Sequence, residues 1–207
     1  MEKFVITIAR GYGSGGRSIG KMLSKELGVS YYDRELLRMA SDDSGINEAL
    51  FANADETLKG TRLWKAFRKS YSGEMIPPDR DDFISNQNLF HFQAKVIREL
   101  ARTEPCVIIG RCADYVLKDM DHVLRLYVHA PMPYCVDRAR EFHPDMSDDE
   151  LRRLIQKTDK RRSAYYEYFT GRKWKDADHY DLCINSSTMT WEQCVNLVRA
   201  YLKIAME

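Results

Sequence analysis

The sequence predicts an α/β protein with a five-stranded parallel sheet and helices on both faces, and three observations carry that prediction. Short apolar runs alternate with stretches of helical spacing along the chain. One run, Pro105-Cys106-Val107-Ile108-Ile109, is continuously apolar, as a strand covered on both faces requires. The first run, Phe4 to Ala9, breaks into four glycines within six residues, and a helical pattern follows at once with Ile19, Met22, Leu23 and Leu27 on one face.

Strand, glycine loop and helix form the context in which backbone N–H groups and a helix N-terminus present positive charge to an oxyanion. Gly11 to Ser18 fits the phosphate-loop pattern G-x-x-x-x-G-K-[ST] except at Arg17, which stands where the lysine belongs. Arginine keeps the charge and adds a bidentate fork. The stretch Gly11, Gly13, Ser14, Gly15, Gly16, Arg17 and Ser18 is therefore a candidate phosphate cradle, with Arg17 a phosphate ligand and Ser18 a Mg²⁺ ligand. A flexible Gly/Ser turn with an exposed arginine is the plainer alternative, and the flanking strand and helix weigh against it. The dinucleotide fingerprint Gly11-x-Gly13-x-x-Gly16 is also present, but no apolar strand ending in an acidic residue follows at the required distance.

With 207 residues the chain suits a single domain, 1–207, and is long enough to bury a sizeable core. Net charge is +1, so no global field calls for nucleic acid or an anionic membrane. No apolar run approaches a membrane span, and the opening strand lacks a signal-peptide pattern. The five cysteines, Cys106, Cys112, Cys135, Cys183 and Cys194, form no C-x-x-C pair. Cys106, Cys183 and Cys194 lie in apolar segments, as buried free thiols do. A reducing cytoplasm is the simplest setting.

The second strand is expected at Gly28 to Asp33, before a helix opening at Asp33-Arg34-Glu35. Asp33 is either that helix's cap or a carboxylate facing the crevice at the strand's carboxyl end. Residues 41–85 read as a helical insertion, with a loop at Ser41 to Gly45, helical spacing from Ile46 to Leu58, a further helix around Leu63 to Tyr71, and an irregular stretch from Gly73 to Asp82. Such a segment suits a substrate cover. A strong helix at Ser85 to Arg102 precedes the third strand, which ends at Gly110-Arg111. Arg111 emerges on the rim expected for the phosphate loop, as a substrate-phosphate ligand or a surface ion pair. His122 to Val128 is the fourth strand and Asp181 to Asn185 the last.

Ser147-Asp148-Asp149-Glu150 is a capping box that opens a long helix. Arg152, Arg153, Lys157, Lys160, Arg161 and Arg162 lie within a span of eleven residues, followed by tyrosines and Gly171-Arg172. By itself this is a solvated face; behind a phosphate loop it reads as a positive lid, at about 145–175, for transferring phosphates. Thr190 to Gln193 caps the final helix. The histidines show no metal-ligand spacing.

Ile8 to Gly20 and Tyr32-Asp33-Arg34-Glu35-Leu36 resemble the opening of the cytidylate-kinase-like family of P-loop kinases. Val107 to Asp114, Asp159 to Tyr166 and Tyr180 to Asn185 are similar to that family too. The resemblance implies a nucleoside-monophosphate-kinase fold, ATP, Mg²⁺, and transfer of the γ-phosphoryl to a small acceptor, nominally CMP or dCMP. It further implies that Asp33 and Arg111 face the acceptor and that Arg161 and Arg162 stabilise the migrating phosphoryl. Established cytidylate kinases carry a lysine in the loop and Asp-Gly-Arg-Asp after the third strand. Here the residues are Arg17 and Ile109-Gly110-Arg111-Cys112, so either Asp33 or Asp114 replaces the missing carboxylate near the metal, or the metal is held largely by Ser18, phosphates and water.

Three function classes follow. The first is a small-molecule kinase acting on a nucleoside monophosphate or another metabolite. The second is a non-catalytic nucleotide-binding sensor of the same fold, favoured by the lost lysine and aspartates and opposed by the arginine lid. The third, a nucleic-acid binder using Arg152 to Arg172, is opposed by the acidic residues interleaved there.

Overall fold

In a computed structural model that describes residues 4–57, 75 and 84–205, five strands form one sheet. They are β1 (Val5–Arg10), β2 (Ser30–Tyr32), β3 (Cys106–Ile109), β4 (Val123–His129) and β5 (Leu182–Asn185), all parallel in the order β2-β3-β1-β4-β5. β1 is central: Val5 lies opposite both Cys106 and Val123, and Ile8 opposite both Ile109 and Leu126. The chain therefore leaves β1 with a neighbouring strand on either side, and the crevice at its carboxyl end is where ligands enter open α/β sheets.

The period of two divides the strand residues between two cores. Phe4, Ile6 and Ile8 of the first run join Val107, Ile109, Leu126 and Val128 beneath helices α1 (Gly16–Leu27) and α8 (Trp191–Ala205). Val5, Ala9, Cys106, Ile108 and Tyr127 face the opposite layer. That layer is built from α2 (Glu35–Ser44), α3 (Glu48–Thr57), α4 (Asn86–Thr103), α5 (Ala113–Val116) and the C-terminal half of α7 (Asp148–Thr170). α6 (Met132–Arg140) and the N-terminal half of α7 share a small third core of Cys135, Val136, Ala139, Leu151 and Ile155, against which Tyr12 packs.

Local signals place most helix ends where the sequence reading put them. The Ser147–Glu150 capping box is complete, and Gly171 closes α7 in the left-handed conformation. Thr190 and Gln193 exchange two hydrogen bonds at the start of α8. Ser85 accepts from the Asn88 N–H to cap α4. Three expectations are corrected. Ser41 to Ser44 continue α2, which ends only at Gly45, because Ser41 and Ser44 bond backbone carbonyls within the turn. Asp33 caps nothing: Arg34 is the N-cap of α2 with no side-chain cap bond, since the Asp33 carboxylate is held by Arg17. Cys183 is exposed, because it sits on the outer strand β5 with its side chain turned from the core. The helix expected around Leu63 to Tyr71 and most of the irregular stretch after it lie outside the described residues.

Candidate functional site

The loop between β1 and α1 is packed so tightly that its glycines are obligatory. Gly13 and Gly15 have φ of 76° and 77°. A Cβ at Gly13 would stand 2.5 Å from the Cys135 carbonyl oxygen, and one at Gly15 2.7 Å from the Trp191 indole nitrogen. Gly15 is the N-cap of α1 and contributes no side-chain acceptor. The first-turn N–H groups of α1 are thus left to an external acceptor. The Ser14 hydroxyl is turned inward onto the Gly11 carbonyl at 2.9 Å, and the Ser14 N–H donates to the same carbonyl at 3.4 Å, so this residue shapes the loop. Ser18, in the first turn of α1, is half-buried.

Four arginines from four parts of the chain share this rim. Arg17 Nε donates to Asp33 Oδ2 at 2.6 Å, joining the start of α1 to the end of β2, and Asp33 is 6% exposed. The Arg10 guanidinium, at the carboxyl end of β1, lies against Gly110, where a Cβ would run into it. Burial first, and then Arg162, press its pKa downward, with Asp33 opposing and Arg111 and Arg17 adding to the repulsion. Burial also lowers the pKa of Arg111, with Tyr165 and then Asp33 opposing. Cations this crowded around one carboxylate are stabilised by an incoming anion. Arg111 is held on the rim by strained backbone: Gly110, Arg111 and Cys112 are consecutively left-handed, with φ of 69°, 58° and 54°.

α7 reaches the same loop. Arg162 Nη1 donates to the Arg10 carbonyl at 3.0 Å, and the Tyr12 N–H donates to Asp159 Oδ1 at 2.8 Å. Asp159 and Arg162 lie one turn apart, with Nη1 3.5 Å from Oδ1. Burial raises the Asp159 pKa, opposed by the Tyr12 N–H and Arg162. The Tyr12 hydroxyl bonds His143 Nε2 at 2.9 Å, so the connection between α6 and α7 grips the loop as well.

Of the residues expected at the site, Arg17, Asp33, Arg111 and Arg162 are brought together with the glycine loop and Ser18. Arg161 is half-buried and forms no ion pair with a described residue. Asp114 is carried elsewhere: α5 turns it into the core, 5% exposed, where it accepts the Tyr166 hydroxyl at 2.6 Å. Arg153, Lys157 and Lys160 face solvent. The sequence reading missed Arg10, whose only signal was a charge at the end of an otherwise apolar strand. It took Asp159 for one charge of a mixed run, although the spacing to Arg162 pairs them on one helix face. It also missed Arg138, whose guanidinium stacks 4.1 Å from the Trp191 ring centre. That pair borders a depression of about 340 Å³ lined by Tyr134, Arg138, Met189, Thr190, Trp191 and Glu192, on the α8 side of the loop.

The sequence profile described as the cytidylate kinase-like family matches residues 5–188. A curated cytidylate kinase from Methanosarcina barkeri is 24% identical over 204 residues, covering 98% of this chain and 96% of its own. Among solved structures, an uncharacterized protein from Eubacterium ventriosum superposes with a TM-score of 0.70 at 23% identity, over 97% of this chain and 98% of that one. A shikimate kinase from Bacteroides thetaiotaomicron gives 0.55 at 15% identity over 97% and 98%. A gluconokinase from Sinorhizobium meliloti gives 0.54 at 14% over 99% and 94%. The two kinases bear out the P-loop kinase architecture of the sheet and its helices.

Proposed function

Because the chain belongs to the cytidylate kinase-like family, we propose that it transfers the γ-phosphoryl group of ATP to a small anionic acceptor, a nucleoside monophosphate such as CMP or dCMP. The observation that carries this reading is the gathering of Arg10, Arg17, Arg111 and Arg162 at the mouth of the glycine loop, where Arg17 pairs with Asp33, Arg162 donates to the Arg10 carbonyl and the Arg10 guanidinium lies against Gly110, next to Arg111. A site binding one nucleotide for recognition alone has no use for so many cations. A site where two phosphates meet and charge spreads over a migrating phosphoryl does.

In this reading the amides of Gly13 and of Gly15 to Ser18, together with the Arg17 guanidinium, hold the ATP phosphates, and the Arg138–Trp191 pair supports the purine. Arg111 and Arg10 bind the acceptor's phosphate, while Arg162, anchored on the Arg10 carbonyl, faces the transfer. An acceptor phosphate oxygen attacks the γ-phosphorus, a new P–O bond forms, the bond to the β–γ bridging oxygen breaks, and ADP leaves. The attacking group is already anionic, so no general base is needed. Ser18 and Asp33 are hard oxygen donors of the kind Mg²⁺ accepts alongside phosphates and water. The ion would supply charge neutralisation across the β- and γ-phosphates. Asp114 is no longer a candidate for that position, since its carboxylate is engaged by Tyr166.

Other features agree. No helix among the described residues is long and apolar enough to cross a membrane, and the five cysteines are unpaired thiols, which suits a reducing cytoplasm. The test is ADP formation from Mg-ATP against CMP, dCMP, UMP, AMP, shikimate and gluconate. Turnover dependent on a nucleoside monophosphate supports the proposal. Turnover with a polyol acceptor alone would replace the nucleotide, and ATP binding without turnover on any acceptor would favour a nucleotide sensor.

A further inference from the structure

Behind Arg111 lies a group of polar atoms that the reaction above does not use. Gln93, on α4, is 1% exposed, and neither its Oε1 nor its Nε2 has a hydrogen-bond partner among the described residues. The hydroxyl of Tyr165, on α7, is likewise buried without a partner. The two are neighbours: Gln93 bears on the Tyr165 hydroxyl without closing a bond to it. Tyr165 in turn lies within electrostatic reach of Arg111, whose pKa it raises against the effect of burial. An amide sealed in a core loses its water hydrogen bonds on all sides, which buried polar groups ordinarily avoid. Here three such atoms come from two helices, close enough to one another and to Arg111 to interact electrostatically.

Their surroundings select for shape. Phe90 and Phe169 stack with ring centres 4.3 Å apart, and Tyr165 tilts against Phe169 at 4.7 Å and meets Phe90 edge-on at 6.4 Å. These rings join α4 to α7 along the seam that carries Gln93 and Tyr165. A carboxamide offers a donor and an acceptor side by side, the complement of a planar edge that does the same, as nucleobases do.

Resting on the phosphoryl-transfer reading, we propose that Gln93 and Tyr165 are the base-recognition end of the acceptor site, receiving the donor–acceptor edge of a nucleobase whose phosphate is held by Arg111. The acceptor is then a nucleotide, and its base identity is read on α4 and α7 rather than by the aspartates that other cytidylate kinases place after the third strand. Binding costs little rearrangement of charge, because the recognition groups are neutral. The wrong base leaves the amide unpaired, so discrimination is steep.

The experiment compares binding of CMP, UMP, AMP and GMP with that of ribose 5-phosphate, by calorimetry on the full chain. Wild type, Gln93→Met and Tyr165→Phe are each measured, with ATP affinity and melting temperature alongside. Wild type is expected to prefer at least one nucleotide over ribose 5-phosphate by tenfold or more. Gln93→Met, an apolar side chain of similar volume, should abolish that preference, leave ribose 5-phosphate and ATP affinity unchanged, and melt no lower than wild type. If Gln93→Met does not fold, Tyr165→Phe must show a reduced preference. Equal binding of ribose 5-phosphate and every nucleotide by wild type overturns the inference. So does a preference that survives both substitutions, which would mark Gln93 as a hydrated core residue. A base preference without ATP turnover refutes phosphoryl transfer but not base recognition. Turnover without base preference does the reverse.

Discussion

Replacing Gly15 by alanine tests how the phosphate loop is built, and Gly28→Ala supplies its control. Both glycines are left-handed, with φ of 77° and 66°, so each substitution incurs about 1–2 kcal/mol of backbone strain. They differ in what a methyl group meets. At Gly28 nothing lies within 4 Å, whereas at Gly15 the new Cβ stands 2.7 Å from Trp191 Nε1 and 3.0 Å from its Cε2. The indole cannot swing away freely, because Arg138 stacks on its ring. Overpacking of this kind adds about 1–3 kcal/mol. Reduced freedom of the unfolded chain returns about 0.4–1 kcal/mol in both variants. Gly28→Ala should therefore lose about 1 kcal/mol and Gly15→Ala about 2–4 kcal/mol. In a chain of this length that is a drop of about 2–4 °C against about 4–16 °C. Urea and thermal denaturation measure the pair, and equilibrium ATP binding follows the folded protein. Gly15→Ala should also weaken ATP, since Trp191 moves with the loop, while Gly28→Ala binds it normally. Equal destabilisation by the two would refute the packing of Trp191 against the loop.

Other consequences are as specific. Hydrogen bonds from Ser30 and then Tyr32 hold the Glu104 carboxyl below its usual value of 4.5, with burial opposing. A depressed folded pKa stabilises above 4.5 and is lost as the pH falls through the folded value. Glu104→Gln should thus lower the unfolding free energy measured in urea by about 1 kcal/mol at pH 7, and by much less near pH 3. Tyr166→Phe should cost about 2–3 kcal/mol by stranding the Asp114 carboxylate. Burial raises the Asp114 pKa, so its ionised form weighs against folding as the pH climbs above 3.8, and the Tyr166→Phe deficit should be larger at pH 8 than at pH 4. Acceptor KM, assayed below the melting range, should not change, because Asp114 faces the core.

The sheet and the phosphate loop were legible because their signals are local. A continuous apolar run at Cys106–Ile109 has one way to be buried, and the cluster of glycines from Gly11 to Gly16 announces a tight loop, in which Gly13, Gly15 and Gly16 have no room for a Cβ. The caps at Ser147 and Thr190 could be read for the same reason: partner residues lie three positions apart. Asp33 was harder. A cap role can be read locally, but Asp33 caps nothing, and its actual partner, Arg17, comes from another element. Asp114 follows three left-handed residues, and no periodicity indicates which way the chain emerges from them; Tyr166, 52 residues on, decides it. Arg10 and Gln93 were illegible for a related reason. A strand-terminal charge and a glutamine in a helix look like surface residues until tertiary packing encloses them.

The central claim is tested most directly by acceptor-dependent ADP formation in wild type and in Arg17→Ala, at saturating Mg-ATP and a nucleoside monophosphate. Loss of one cation aimed at the migrating phosphoryl should lower kcat by about 10²-fold or more, with Arg17→Lys recovering part of it. Wild-type turnover in Arg17→Ala would contradict the account, because the loop's one departure from its pattern would then carry no charge that the reaction uses.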